Sequence, residues 1–138
     1  MYEIVTQLLW VGNERDAQDV KSVLKLGAAA VIDLAMEESP IPFPRDVAYC
    51  RLPLVDGPGN PPEMIRAVVD LTASLIRSRV PTFVACGGGM SRSPAVAAAA
   101  LALVREQSAD EMLKEVTAGV AHDVAPAFWN EVKEACGL

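Results

Sequence analysis

Short apolar runs alternate with amphipathic stretches along the whole chain. Residues 2–5 and 8–11 read as two short edge strands. Asn13 then caps a helix whose positively polarised first turn carries Glu14 and Asp16. Val20, Val23 and Leu24 give that helix one apolar stripe, and Gly27 ends it as a C′ glycine does. Residues 28–34 (AAAVIDL) are an unbroken apolar run, expected of a strand covered on both faces. Residues 47–52 read as another strand, and the Pro- and Gly-rich segment PLVDGPGNPP as a turn-forming loop. A helix from 62 to about 79 follows, with Ile65, Val68, Val69, Thr72, Leu75 and Ile76 on one face. Residues 80–86 (VPTFVAC) are a second buried strand, leading through a glycine-rich turn into an alanine-rich helix over 92–107. Ser108 and Glu111 make a capping-box pattern that opens the next helix. Pro126 stands where an N1 proline belongs, before a last helix carrying Phe128, Trp129 and Val132. This order predicts an α/β three-layer sandwich: a central, mainly parallel sheet flanked by helices. Trp10, Phe128 and Trp129 are expected in its core.

Composition narrows the function. The 138 residues fit one domain, 1–138, and 51% hydrophobic content is enough to bury a core. A net charge of −6 argues against a nucleic-acid or anionic-membrane binder, both of which need a basic face. The most apolar stretch, 95–104, is ten residues, where a membrane-spanning helix needs roughly 20. The first residues, MYEIVTQLLW, show no basic leader pattern, so a cytoplasmic location is expected. Cys50, Cys86 and Cys136 are too few and too scattered for a disulfide framework or a zinc ligand set.

The chemistry concentrates in Cys86-Gly87-Gly88-Gly89-Met90-Ser91-Arg92-Ser93, between a buried strand and a helix N-terminus. Backbone N–H groups of such a turn converge on one point, and the helix dipole favours an anion there. Three glycines let the backbone approach closely and take positive φ where needed. A tetrahedral oxyanion, phosphate or sulfate, is the expected occupant. Arg92 can grip two phosphate oxygens with its planar fork. N–H donors, a helix N-terminus and an arginine favour the thiolate form of Cys86, aimed at the phosphorus. Ser93 offers a hydroxyl to the same sulfur.

These residues match the C-x5-R-S/T signature of the cysteine-dependent protein tyrosine phosphatases, and Gly89 with the S-R-S ending resembles the dual-specificity branch. LLWVGNERDA, LGAAAVIDL and PAFWNEV extend the resemblance over nearly the whole chain. It implies a phosphatase acting on phosphotyrosine, and on phosphoserine or phosphothreonine, through a phosphocysteine on Cys86, with no metal or cofactor. It also implies a general acid on an upstream loop. Asp56, 30 residues before Cys86 in LVDGPGN, has that spacing and context. Arg92 and the loop amides of 87–92 then stabilise the transferred phosphoryl group, and Ser93 eases thiolate release.

One position departs from the family. His usually precedes the cysteine and braces the loop, and here it is Ala85. The expectation is a weaker enzyme with its acid limb at higher pH, or in the alternative a phospho-binding module with little activity. A rhodanese-type sulfurtransferase also uses a cysteine in an anion-cradling loop but needs neither Asp56 nor the S-R-S ending. In low-molecular-weight phosphatases and arsenate reductases of that fold, C-x5-R lies near the N-terminus with the acid far downstream, the reverse of the order here. Asp33 is a second carboxylate near the strand ends, His122 a solvated loop residue, and Cys50 a buried strand cysteine, with a protective disulfide to Cys86 as the alternative. Uncharged Gly87, Gly88 and Met90 disfavour polyphosphorylated lipids.

Overall fold

Five strands and six helices are built from residues 1–138, all of which the computed structural model describes. The strands are β1 (Tyr2–Val5), β2 (Leu9–Asn13), β3 (Ala30–Ala35), β4 (Ala48–Leu54) and β5 (Thr82–Cys86). The helices are α1 (Glu14–Gln18), α2 (Val20–Lys25), α3 (Pro62–Arg77), α4 (Arg92–Arg105), α5 (Ala109–Thr117) and α6 (Pro126–Cys136). Sheet order is β1-β2-β5-β3-β4, with only the β1–β2 pair antiparallel. The expected sandwich is therefore observed. Residues 8–11 do not make an edge strand, however, because β2 pairs with β5 from Leu9 to Asn13 and lies inside the sheet.

The sheet separates two apolar layers. On one face Leu9, Val11, Ile32, Leu34 and Val84 pack with α3 to α6; on the other Trp10, Val31, Phe83 and Ala85 pack with Ala17 and Val23 of α1 and α2. In α3 the side chains of Ile65, Val68, Val69, Thr72, Ala73 and Ile76 are buried, while Leu75 of the expected stripe is only half-buried. Each large aliphatic buried this way contributes about 1.5–3 kcal/mol. Every residue of α4 from Arg92 to Ala102 is buried, so its alanines let the neighbouring helices close around it.

The helix expected over 13–27 is two. Asn13 and Asp16 form a reciprocal capping box on α1, but Asp19 leaves helical geometry and its side chain accepts from Ser22 N, capping α2. That break turns Leu24 outward, where it is exposed, and leaves Val23 to fill the core. Gly27 follows with φ +85°. Ser108 accepts from Glu111 N, only half of the expected box.

Candidate active site

Four parallel strands end on one edge of the sheet, where loops of an open α/β fold gather functional groups. Asn13 of β2 is in register with Cys86 of β5, and Asp33 of β3 with Ala85. The loop 87–91 leaves β5 there and runs into Arg92, first residue of α4. Of its three glycines only Gly89 has positive φ, +72°. A Cβ at Gly89 would also lie 2.9 Å from Asn13 N and Gly12 C. Glycine is required twice over, since the turn is left-handed and pressed against β2.

This fold brings Cys86, Ser93 and Arg92 together. Cys86 is 1% exposed; its Sγ lies 3.1 Å from Ser93 Oγ and accepts the Gly89 N–H at 3.2 Å. The buried Arg92 side chain donates from Nη1 to Leu54 O at 2.9 Å. Glu37, just beyond β3, takes the outer edge of the guanidinium: Nη1 donates to Oε1 at 2.8 Å and Nη2 to Oε2 at 2.9 Å. Arg92 Nε is buried and has no hydrogen-bond partner. The edge formed by Nε and Nη2 is therefore the one left to grip an oxyanion. A Cβ at Gly87 would come within 2.9 Å of Arg92 Nη2, so a larger residue there would displace the fork.

Burial pulls the Arg92 guanidinium down, but the Glu37 hydrogen bonds and the charges of Cys86, Glu37 and Asp56 outweigh it and raise it above its ordinary value. Reciprocally, Arg92 holds the Glu37 carboxyl below its ordinary 4.5, against the effect of partial burial. Glu37 is the main residue the sequence reading missed.

Asp56 is exposed, on the loop after β4, two residues beyond the Leu54 whose carbonyl is bonded to Arg92. The loop is knitted from within and from outside. Asn60, 6% exposed, accepts Val55 N at 2.7 Å and donates to the Val55 and Gly57 carbonyls. The Gly59 N–H meets both oxygens of Glu131 on α6, at 3.0 and 2.9 Å. Asp123 N donates to Met90 O at 2.9 Å, joining the loop before α6 to the loop after β5. His122 beside it is exposed.

Asp33 belongs to the framework. It is fully buried, accepts Ala35 N, and receives the Tyr49 hydroxyl at 2.5 Å. Burial first, and then the bond to Asp33, push Tyr49 up to about 12. Cys50 and Val84 both face Ile32 across β3, which sets the Cys50 and Cys86 Cα atoms roughly 12 Å apart. A disulfide needs less than about 7 Å, so this backbone does not join them. Burial lifts Cys136 to about 11. Ala85 is fully buried beside Trp10, Val31 and Phe83.

Two further groups near the loop lack partners. The Tyr2 hydroxyl is buried and unbonded, raised by burial and then by Cys86. Both Glu14 carboxyl oxygens are also buried and unbonded, although the Glu14 N–H donates to Gly87 O at 3.2 Å.

Comparison with known proteins bears on the fold alone. No sequence-family model and no curated protein matches the chain. Solved structures do. Human DUSP28 superposes with a TM-score of 0.84 at 22% identity, over 99% of this chain and 96% of that one. A mouse putative dual specificity phosphatase complexed with zinc tungstate gives 0.82 at 24%, over 98% and 85%. PTPMT1 in complex with PI(5)P gives 0.73 at 18%, over 99% and 94%. The chain has the α/β fold of the small dual-specificity phosphatases.

Proposed function

We propose that this chain is a single cysteine-dependent phosphatase domain that removes phosphate from phosphotyrosine, and from phosphoserine or phosphothreonine, of proteins. The observation that carries the reading is the convergence of three groups in eight residues. They are a buried thiol bonded to Ser93 and Gly89 N–H, a helix N-terminus, and an arginine whose Nε–H is buried without a partner. An oxyanion held there satisfies that Nε and faces the sulfur.

The proposed chemistry has two displacements. The Cys86 thiolate attacks phosphorus as the P–O ester bond breaks, and the Asp56 carboxyl gives its proton to the departing oxygen. Water then attacks the phosphocysteine and passes a proton to the Asp56 carboxylate. The S–P bond breaks to release inorganic phosphate, with Ser93 Oγ donating to the leaving thiolate. Arg92 and the loop N–H groups balance the charge of the transferred group in both steps. Glu37 orients the arginine. No step calls for a metal or cofactor. Three unpaired thiols accord with a reducing, cytoplasmic location.

p-Nitrophenyl phosphate hydrolysis against pH tests this for the natural protein, Cys86→Ser and Asp56→Asn. Turnover in chelator, lost in the first variant and without its basic limb in the second, supports the reading. A second reading, a phospho-binding module, is favoured by Ala85, which gives the loop no side-chain hydrogen bond at the position before the cysteine. Phosphate binding without turnover at any pH would select it.

A further inference from the structure

The loop after β5 has a neighbour that the proposed chemistry does not use. A hollow of about 370 Å³ adjoins it, lined by Asn13, Glu14, Arg15, Gln18, Glu38 and Gly87, with no apolar residue among them. Gly87 directly follows Cys86, so the hollow shares a wall with the site that would hold the phosphate. Glu14 is 3% exposed and neither of its carboxyl oxygens has a donor. A buried carboxyl without hydrogen bonds is costly, and a charged donor arriving from outside removes that cost.

The surroundings are short of such donors. Asp33 on β3 and Glu37 and Glu38 beyond it face Glu14, with Arg51 of β4 as the opposing cation. The Arg51 Nη2 is committed to the carbonyls of Ala35, Met36 and Glu38, and its buried Nε has no partner and makes no hydrogen bond to Glu14. Arg15, the cation in the lining, is exposed and makes no ion pair. Burial, then Asp33, Glu38 and Glu37, lift the Glu14 carboxyl to about 7, with Arg51 pulling the other way. No group of three or more metal-binding side chains is arranged to take a metal ion. The unmet demand fits an organic cation, an ammonium or guanidinium.

From these observations we infer that the hollow between Glu14, Glu38 and Gly87 receives a lysine or arginine side chain of the phosphorylated substrate, so that preferred substrates carry a basic residue next to the phosphorylated one. Successive residues of an extended peptide are about 3.3 Å apart, and a long basic side chain easily spans the step from the phosphate to the neighbouring hollow. Acidic flanks meet Glu37 and Glu38 instead and are disfavoured. This inference rests on the phosphatase reading, and the two fail separately.

The test uses one phosphotyrosine peptide made with Lys, Ala or Glu on either side of the phosphorylated residue. The natural protein is assayed for kcat/KM, and Cys86→Ser for affinity by fluorescence anisotropy. The Lys peptide is expected to exceed the Glu peptide by about fivefold or more in 50 mM salt, and the gap to shrink in 0.5 M salt. In Glu14→Gln and Glu38→Gln the Lys-to-Glu ratio falls toward one, whatever the absolute rate. Free lysine or spermidine, added as competitor, separates a cation site open to any amine from one that acts only on a tethered side chain. Competition by either supports the site's chemistry, and its absence with the ratio intact assigns it to the peptide. Equal affinities for all three peptides, a preference for Glu, or a ratio untouched by both substitutions overturns the inference. Failure to hydrolyse p-nitrophenyl phosphate, with the affinity ratio intact, would instead strike the phosphatase reading and leave the cation site standing.

Discussion

Glu37→Gln isolates the contact that aims Arg92. The two bonds it removes or weakens are 2.8 and 2.9 Å long, between a side chain 3% exposed and one 50% exposed. A charge-assisted bond to a buried group is worth about 1.5–3 kcal/mol. Half-exposure of Glu37 lowers this by solvent screening, and the amide oxygen of glutamine still accepts one bond. The net loss of stability is then about 1–2 kcal/mol at pH 7. The Leu54 carbonyl still holds Nη1, so the guanidinium swings rather than leaves. Misaiming a bidentate clamp by that much should cost about 10–100-fold in kcat/KM, equivalent to about 1.4–2.7 kcal/mol of transition-state stabilisation. The pH dependence gives the sign. Arg92 depresses the Glu37 carboxyl below 4.5, so its contribution is full above the unfolded value and fades as pH falls through the folded one. Urea unfolding should separate the two proteins at pH 7 and bring them together in acid, while p-nitrophenyl phosphate turnover reports the clamp. Unchanged kcat/KM, or a stability gap that persists at low pH, would refute the claim that an ionised Glu37 orients the arginine.

The other predictions follow from the same site. Glu131→Ala unties the Gly59 N–H and loosens the Asp56 loop. Phenyl phosphate, whose poor leaving group needs a proton, should slow about 5–10-fold and 2,4-dinitrophenyl phosphate by less than about twofold; equal losses would mean a general structural effect. For Glu14 the raised carboxyl means that the folded state binds the extra proton between 4.5 and about 7, so stability falls across that interval and is level above it. Glu14→Gln removes this slope and gains about 1–3 kcal/mol at pH 8; parallel stability–pH curves for the two proteins would contradict it. Gly89→Ala must adopt φ +72° against β2 and should lose at least about 2 kcal/mol and most activity, measured by denaturation and turnover.

What the chain announces and what it conceals divide by distance along it. Cys86, Arg92 and Ser93 lie within one loop and one helical turn, where residue type and glycine spacing alone dictate an anion cradle. The strand–helix order was equally open, because each element carries its own periodicity. Glu37 was hidden: it meets Arg92 across 55 residues, and only the pairing of β3 beside β5 brings them together. The Glu131 tie to Gly59 spans 72 residues, joining a surface helix position to a loop amide that has no side chain to signal it. Residues 8–11 looked like an edge strand because their pairing with β5 depends on sheet order, which local pattern does not encode. The break between α1 and α2 is also hidden, because the apolar stripe of Val20, Val23 and Leu24 runs on past Asp19, whose bond to Ser22 N makes it a cap.

The most direct test is to find the phosphoryl group on the sulfur. The protein is mixed with 2,4-dinitrophenyl phosphate, quenched in acid within one turnover, digested and read by mass spectrometry, with Cys86→Ser as control. The account predicts one phosphoryl group on the natural peptide that carries Cys86, and a longer-lived one in Asp56→Asn, where the base for its hydrolysis is missing. Turnover of the ester with Cys86 never modified would contradict it.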